Sequence, residues 1–154
     1  MITIANATYE DLAYVASWLS AVDRMELALT RDPDDYRSLA RDAAASSVCK
    51  VALDGGLVPI FAFGLYPVGK SALQVWGFKT ERGPRAILSI TKYLLKDLMP
   101  AMRIAGYTRA ACRVHRDNLQ SRRWLAHLGF VPEATPGETG TPLILYQLDE
   151  HVIH

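Results

Sequence analysis

Residues 72–114 read ALQVWGFKTERGPRAILSITKYLLKDLMPAMRIAGYTRAACRV. Ala72 to Phe78 is an apolar run of strand length. Lys79-Thr80-Glu81-Arg82-Gly83-Pro84-Arg85 follows as a turn, punctuated by Gly and Pro. A long helix is predicted from about Ala86 to Met102, because Ile87, Ile90, Leu94 and Leu98 fall on one stripe. Pro100 should kink or end it, since proline has no N–H and its ring crowds the preceding turn. Tyr107 to Val114 is again a strand. A strand–helix–strand crossover implies a parallel pair of strands.

Working outward, the chain begins with a short strand at Ile2, Ile4 and Ala5. Thr8 reads as a helix N-cap with Asp11 three residues on, and Leu12, Val15, Ala16, Leu19 and Val22 continue at helical spacing. Pro33-Asp34-Asp35 opens a second helix bearing Tyr36, Leu39, Ala43 and Ala44. SVCKVALD (residues 47–54) alternates as a strand, and Gly55-Gly56 is a two-residue hairpin turn. Its partner, LVPIFAFGLY (57–66), is apolar on both faces and central beyond Pro59. Downstream, Asn118 caps a last helix in which Ser121, Trp124, Leu125 and Leu128 share a face, and Gly129 is its left-handed C-terminal residue. Phe130-Val131 starts a strand, a loop runs from Ala134 to Thr141, and Leu143 to Leu148 is the final strand. The expected fold class is α/β (α+β): a mixed, mostly antiparallel sheet with a central parallel pair and helices on both faces. No repeat or linker divides the chain, so residues 1–154 are expected to form a single domain.

Half of the 154 residues are apolar and 21% are charged, which excludes a disordered chain. Cys49 and Cys112 are too few for a disulfide framework or a four-ligand zinc site, and no metal is expected. Both fall in strands and read as buried and inert. The first residues lack a basic flank and an apolar core, so no signal peptide is expected. The uncharged stretch Gly55 to Gly69 is too short to span a bilayer. The expectation is a cytoplasmic protein with reduced thiols and no membrane partner.

The net charge of +1 conceals an uneven distribution. Residues 1–78 carry 6 Lys/Arg against 9 Asp/Glu, residues 79–131 carry 11 against 3, and residues 132–154 carry four acids. The basic segment starts at a helix N-terminus, where free backbone N–H groups and the positive dipole end favour phosphate. Arg82 and Arg85 bracket Gly83, which lets backbone approach a ligand closely. A solvated basic helix face is the alternative. Nucleic acid is not expected, because no helix-turn-helix, aromatic RNA platform or zinc finger accompanies the basic residues.

The element order resembles the GNAT fold, that of the acetyl-CoA-dependent N-acetyltransferases, over nearly the whole chain. The clearest local match is NLQSRRWLAHLGF (118–130): Asn118, the small Ser121 three later, the pair Trp124-Leu125, and the closing Leu128-Gly129-Phe130. A narrower likeness is to the acetyltransferase-like, internal-virion-type proteins of short-tailed bacteriophages. It rests on Ala21-Val22-Asp23-Arg24-Met25-Glu26, Asp54-Gly55-Gly56, Phe63-Gly64 and Arg123-Trp124-Leu125.

The resemblance implies that acetyl-CoA lies where the fourth and fifth strands splay apart. Its pantetheine arm would follow the edge of the fourth strand at Val75, Trp76, Gly77 and Phe78. Its pyrophosphate would sit on the turn at Arg82, Gly83, Arg85 and Ala86, with Asn118 and Ser121 opening the last helix beside it. An unidentified amine would accept the acetyl group near Asp23 and Arg24, with Glu26 or His115 as the base. Two departures stand out. The usual Gln/Arg-x-x-Gly-x-Gly/Ala turn fits in neither register, since Thr80 and Arg85 or Pro84 fall at required positions. The tyrosine that often protonates the departing thiolate is replaced by Leu125. The alternative is therefore a catalytically impaired GNAT-fold phage protein in the host cytoplasm, acting by contact with virion or host proteins. An exposed edge on the apolar final strand would let two chains pair as a homodimer.

Overall fold

In the computed structural model, which describes residues 1–133 and 142–149, the chain begins with β1 (Ile2–Asn6), α1 (Tyr9–Ser17), α2 (Ala21–Leu27) and α3 (Tyr36–Ala44). Three strands follow: β2 (Val48–Asp54), β3 (Val58–Val68) and β4 (Ala72–Lys79). A 3-10 turn (Gly83–Ala86) leads into α4 (Ile87–Tyr93), a π-helical turn (Leu94–Leu98) and α5 (Met99–Ile104). The chain continues through β5 (Arg109–His115), α6 (Leu119–His127), β6 (Val131–Pro132) and β7 (Leu143–Asp149). The expected loop at Ala134–Thr141 lies outside the described residues.

The strands form one sheet in the order β1-β2-β3-β4-β5-β7-β6, antiparallel throughout except for the β4–β5 pair. Leu12, Val15, Ala16, Leu39 and Ala40 of α1 and α3 cover one face, against Ala62 and Phe78. The opposite face is covered by Ala86 and Ile90 against Phe61 and Phe63, and by Leu125 of α6 and its C-cap Leu128 against Val114, Ile144 and Tyr146. Buried on both faces from Ile60 to Leu65, β3 is the central strand that its composition predicts.

Four local expectations are corrected. The first predicted helix is two helices. Ser20 starts the second by accepting from Asp23 N–H at 3.3 Å, while its own N–H donates to Lys79 C=O at 2.8 Å. Apolar spacing hides the break because Leu19 stays in the same core as Val15. The helix after Pro33 starts later than expected, with Asp35 as its N-cap. Pro100 does not end its helix. It sits in the first turn of α5, and the π-helical turn just before it takes up the irregularity. Finally, β7 is not an edge strand but lies between β5 and β6, so the edge expected to support pairing of two chains is partly covered.

Candidate functional site

The parallel pairing of β4 with β5 lasts for three residue pairs, Ala72 with Arg109, Leu73 with Ala110 and Gln74 with Ala111. Beyond Gln74 the strands part, and a cleft of about 930 Å³ lies between the two walls. The N–H and C=O of one strand residue point to the same side, and successive residues alternate. Thr80 N–H donates to Ile60 of β3, whereas Lys79 C=O accepts from Ser20 on the opposite edge. Val75 and Gly77, in phase with Lys79, therefore turn their backbone groups toward the cleft. Trp76 and Phe78 turn theirs toward β3 and send stacked rings, 5.5 Å apart, to the side of α1 and α3. All four predicted β4 residues line the cleft, as does Ser121 from the far wall.

Across the open end lies α2, bonded to both walls. Asp23 Oδ2 accepts the Lys79 backbone N–H at 2.7 Å, and Asp23 Oδ1 is 3.1 Å from Lys79 Nζ. Both side chains are buried, 7% and 5% exposed, so this ion pair is screened little by solvent. Glu81, just past β4, accepts the Ala21 N–H at 2.7 Å. On the other wall, Glu26 Oε1 accepts the backbone N–H of His115 at the end of β5. Burial pushes the carboxyls of Asp23 and Glu26 above their ordinary values. The Lys79 contacts pull Asp23 back in part, and the His115 N–H does the same for Glu26. Cys112, beside Glu26 on β5, has its thiol pushed up to about 12 by burial and by that carboxylate. It remains a thiol, not a thiolate nucleophile.

Other predicted residues are placed differently. Arg82 and Arg85 stand outside the cleft wall, 3.3 and 3.2 Å from Asp54 Oδ2, with guanidinium groups well exposed. The amides of that turn are engaged within it. Arg82 N–H reaches Thr80 Oγ1, Gly83 N–H reaches Thr80 C=O, Arg85 N–H reaches Arg82 C=O, and Pro84 has none. Gly83 serves close packing rather than ligand approach, since a Cβ there would press into the Lys79 side chain and stand 3.0 Å from Ile60 C=O. Ala86 is fully buried in the core. Asn118 is a buried cap whose side chain accepts Ser121 N–H at 3.2 Å. His115 is buried outside the cleft lining, its Nδ1 accepting Asp117 N–H at 3.0 Å. Arg24 pairs with Asp34 at 2.6 Å on the surface.

This architecture recurs in solved proteins. An acetyltransferase of the GNAT family from Staphylococcus aureus superposes with a TM-score of 0.71 at 14% identity, covering 97% of this chain and 99% of its own. The PaiA N-acetyltransferase of Thermoplasma acidophilum, solved in complex with coenzyme A, gives 0.67 at 15% identity, covering 97% and 99%. The YncA protein of Salmonella typhimurium, solved with its cofactor acetyl-CoA, gives 0.64 at 18% identity, covering 97% and 94%. The fold is that of the GNAT acetyltransferases. No protein-family model and no curated protein matches the sequence.

Within the GNAT fold, two contributors to this site escape the sequence reading. Lys79 looks like the first residue of a solvated turn. Only its place at the end of an apolar strand, in phase with Val75 and Gly77, hints at burial. Arg31 lines the cleft yet sits in a Asp/Pro-rich loop sequence that carries no signal. Leu125 is buried against Leu128 and Phe130, and the neighbouring Trp124 donates its indole N–H to Thr91 Oγ1 at 2.8 Å, so neither offers a proton to the cleft. Among the described residues, no group of three or more His, Cys, Asp or Glu could hold a metal ion, and no helix is long and apolar enough to cross a membrane.

Proposed function

We propose that this protein is an acetyl-CoA-dependent N-acetyltransferase acting on an amine. The observation that carries this reading is the opening of β4 from β5 after three residue pairs, which leaves the Val75 and Gly77 backbone facing a large cleft with Glu26 at its mouth. A free strand edge suits the amides of a pantetheine arm as an added strand would. Since the turn amides are engaged and Pro84 has none, pyrophosphate contact falls to the Arg82 and Arg85 side chains, whose planar forks suit phosphate. Asn118 acts on this contact only through its cap of α6, and Ser121 through its place on the wall.

Acetyl-CoA supplies the activated thioester. Glu26 takes a proton from the acceptor nitrogen, which then forms the N–C bond as the C–S bond breaks and its electron pair leaves on sulfur. A thiol has an ordinary pKa of about 8.5, so the thiolate leaves at neutral pH without a tyrosine acid, and Leu125 is no bar to turnover. Asp23 holds α2 in place rather than touching the acceptor, and His115 contributes its backbone N–H to orient Glu26. Arg24 remains the surface candidate for acceptor contact.

A second reading, that of a phage protein working by contact with virion or host proteins in the host cytoplasm, is favoured by the irregular turn, whose Arg82, Gly83 and Arg85 amides are bonded within it. Calorimetric titration separates the two. Saturable acetyl-CoA binding at one site is expected, weakened about tenfold or more in the Arg82→Ala/Arg85→Ala double variant through loss of charge-assisted bonds. Neither heat nor a thermal shift at millimolar acetyl-CoA would remove the acetyltransferase reading.

A further inference from the structure

The proposed chemistry leaves the arginines that line the cleft, Arg31, Arg103, Arg109 and Arg113, unused. Arg31 lines the cleft together with Glu26, Leu27 and Thr30 from the segment that closes its mouth. Its Nη2 is held by Asp42 Oδ2 of α3 at 2.8 Å. Its Nη1 is buried and has no hydrogen-bond partner among the described residues. A guanidinium keeps its charge at every working pH, so Nη1 is a permanent donor. A donor buried without an acceptor is costly, and an anionic oxygen is the partner that relieves the cost most fully.

A second cation faces the same space. Cys112 and Val114 of β5 pack toward α6, so Arg113 between them points to the other face of the sheet, the side on which α3 carries Asp42. Arg113 lines the cleft, is exposed, and has no ion pair among the described residues. Arg31 and Arg113 thus line the same cleft, and of the two only Arg31 is partly neutralised. A polyamine would set a second positive charge against both. A carboxylate oxygen would accept from the one nitrogen, Nη1, that Arg31 leaves without a partner.

We infer that Arg31, supported by Arg113, forms an anion subsite, and that the acceptor is a small amine that also bears a carboxylate. The amine nitrogen lies toward Glu26 and the carboxylate on Arg31 Nη1. This inference rests on the acetyltransferase reading for its geometry, and binding measurements keep the two apart.

The probes are ω-amino acids of increasing chain length, each paired with the alkylamine that lacks its carboxylate. They are titrated into the protein alone and into the protein saturated with acetyl-CoA. At least one amino acid is expected to bind ten times or more tighter than its alkylamine. Arg31→Gln should reduce that preference below threefold, and Arg31→Lys should keep part of it, with thermal melts establishing that both variants are folded. Equal binding of the two series, binding of neither, or a preference that survives Arg31→Gln would overturn the subsite. A tenfold loss of acetyl-CoA affinity in Arg31→Gln would also overturn it, by assigning the anion to the coenzyme phosphates. Failure of the wild-type protein to bind acetyl-CoA would instead sink the acetyltransferase reading, with the amino-acid titrations of the protein alone still deciding the subsite.

Discussion

Glu26 is half-buried, bonded to a backbone N–H, and carries a carboxyl pushed above its ordinary value by burial, with Asp23 adding to the rise. A base must be deprotonated to work, so a raised value moves the acidic limb of the rate profile upward. Glu26→Gln is expected to lower kcat/KM by about 10²–10⁴. The remaining activity should lose that acidic limb, as stopped assays of CoA release across pH would show. A profile that keeps its limb in Glu26→Gln would assign the base elsewhere. Gly64 makes a different demand. It sits opposite Trp76 in the β3–β4 register, where a Cβ would strike Val48 C=O and come within 2.5 Å of the Trp76 ring. The ring can shift, but a backbone carbonyl in a ladder cannot. Gly64→Ala should cost about 3 kcal/mol or more, measured by urea denaturation.

Seven residues make α2 too short to persist alone, so its position depends on what it bonds to. Asp23 fixes it to β4, Glu81 fixes its first turn, and Glu26 fixes it to β5. Removing Asp23 would leave the Lys79 ammonium buried without its anion. Asp23→Ala should therefore cost about 3–5 kcal/mol, whereas replacing both partners by apolar side chains should be nearly neutral. A double-mutant cycle by urea denaturation checks this, and additive losses would show that the pair is not coupled. The sequence displays the strands, the crossover and the α6 cap plainly, because each follows from local periodicity and turn chemistry. It does not display the α1–α2 break, since Leu19 keeps the apolar spacing across Ser20. Nor does it display the Asp23–Lys79 contact, which joins residues 56 positions apart. Trp76 to Phe78 are legible as a strand, but which of them offers backbone to the cleft depends on the β3 register. The arginine turn is legible as a basic loop, while its pairing with Asp54 depends on where the β2–β3 hairpin ends.

Across the whole molecule, the uneven charge of the sequence becomes a matter of which charges are buried. Among the described residues, the clearly displaced carboxyls belong to Asp23 and Glu26, both raised, and both lie at the cleft mouth. Between the ordinary carboxyl range and the raised values, the folded chain keeps protons that the unfolded chain has lost. Stability then falls as pH rises, because the slope follows the protons bound in the unfolded state minus those bound in the folded state. Above the raised values both states are ionised, and the full cost of the buried charge persists. Cys112 has the same sign in the alkaline range, from the ordinary 9.0 to about 12. Other carboxyls also contribute to the measured curve, so the contribution of Glu26 is isolated by difference. Urea denaturation of wild type and Glu26→Gln between about pH 4 and about pH 8 should show the variant gaining stability relative to wild type as pH rises, then a plateau. A difference that shrinks with pH would mean that the His115 N–H outweighs burial and holds Glu26 ionised in the fold. Glu26 would then be a fixed anion tying α2 to β5, and the base would have to be sought elsewhere along the cleft.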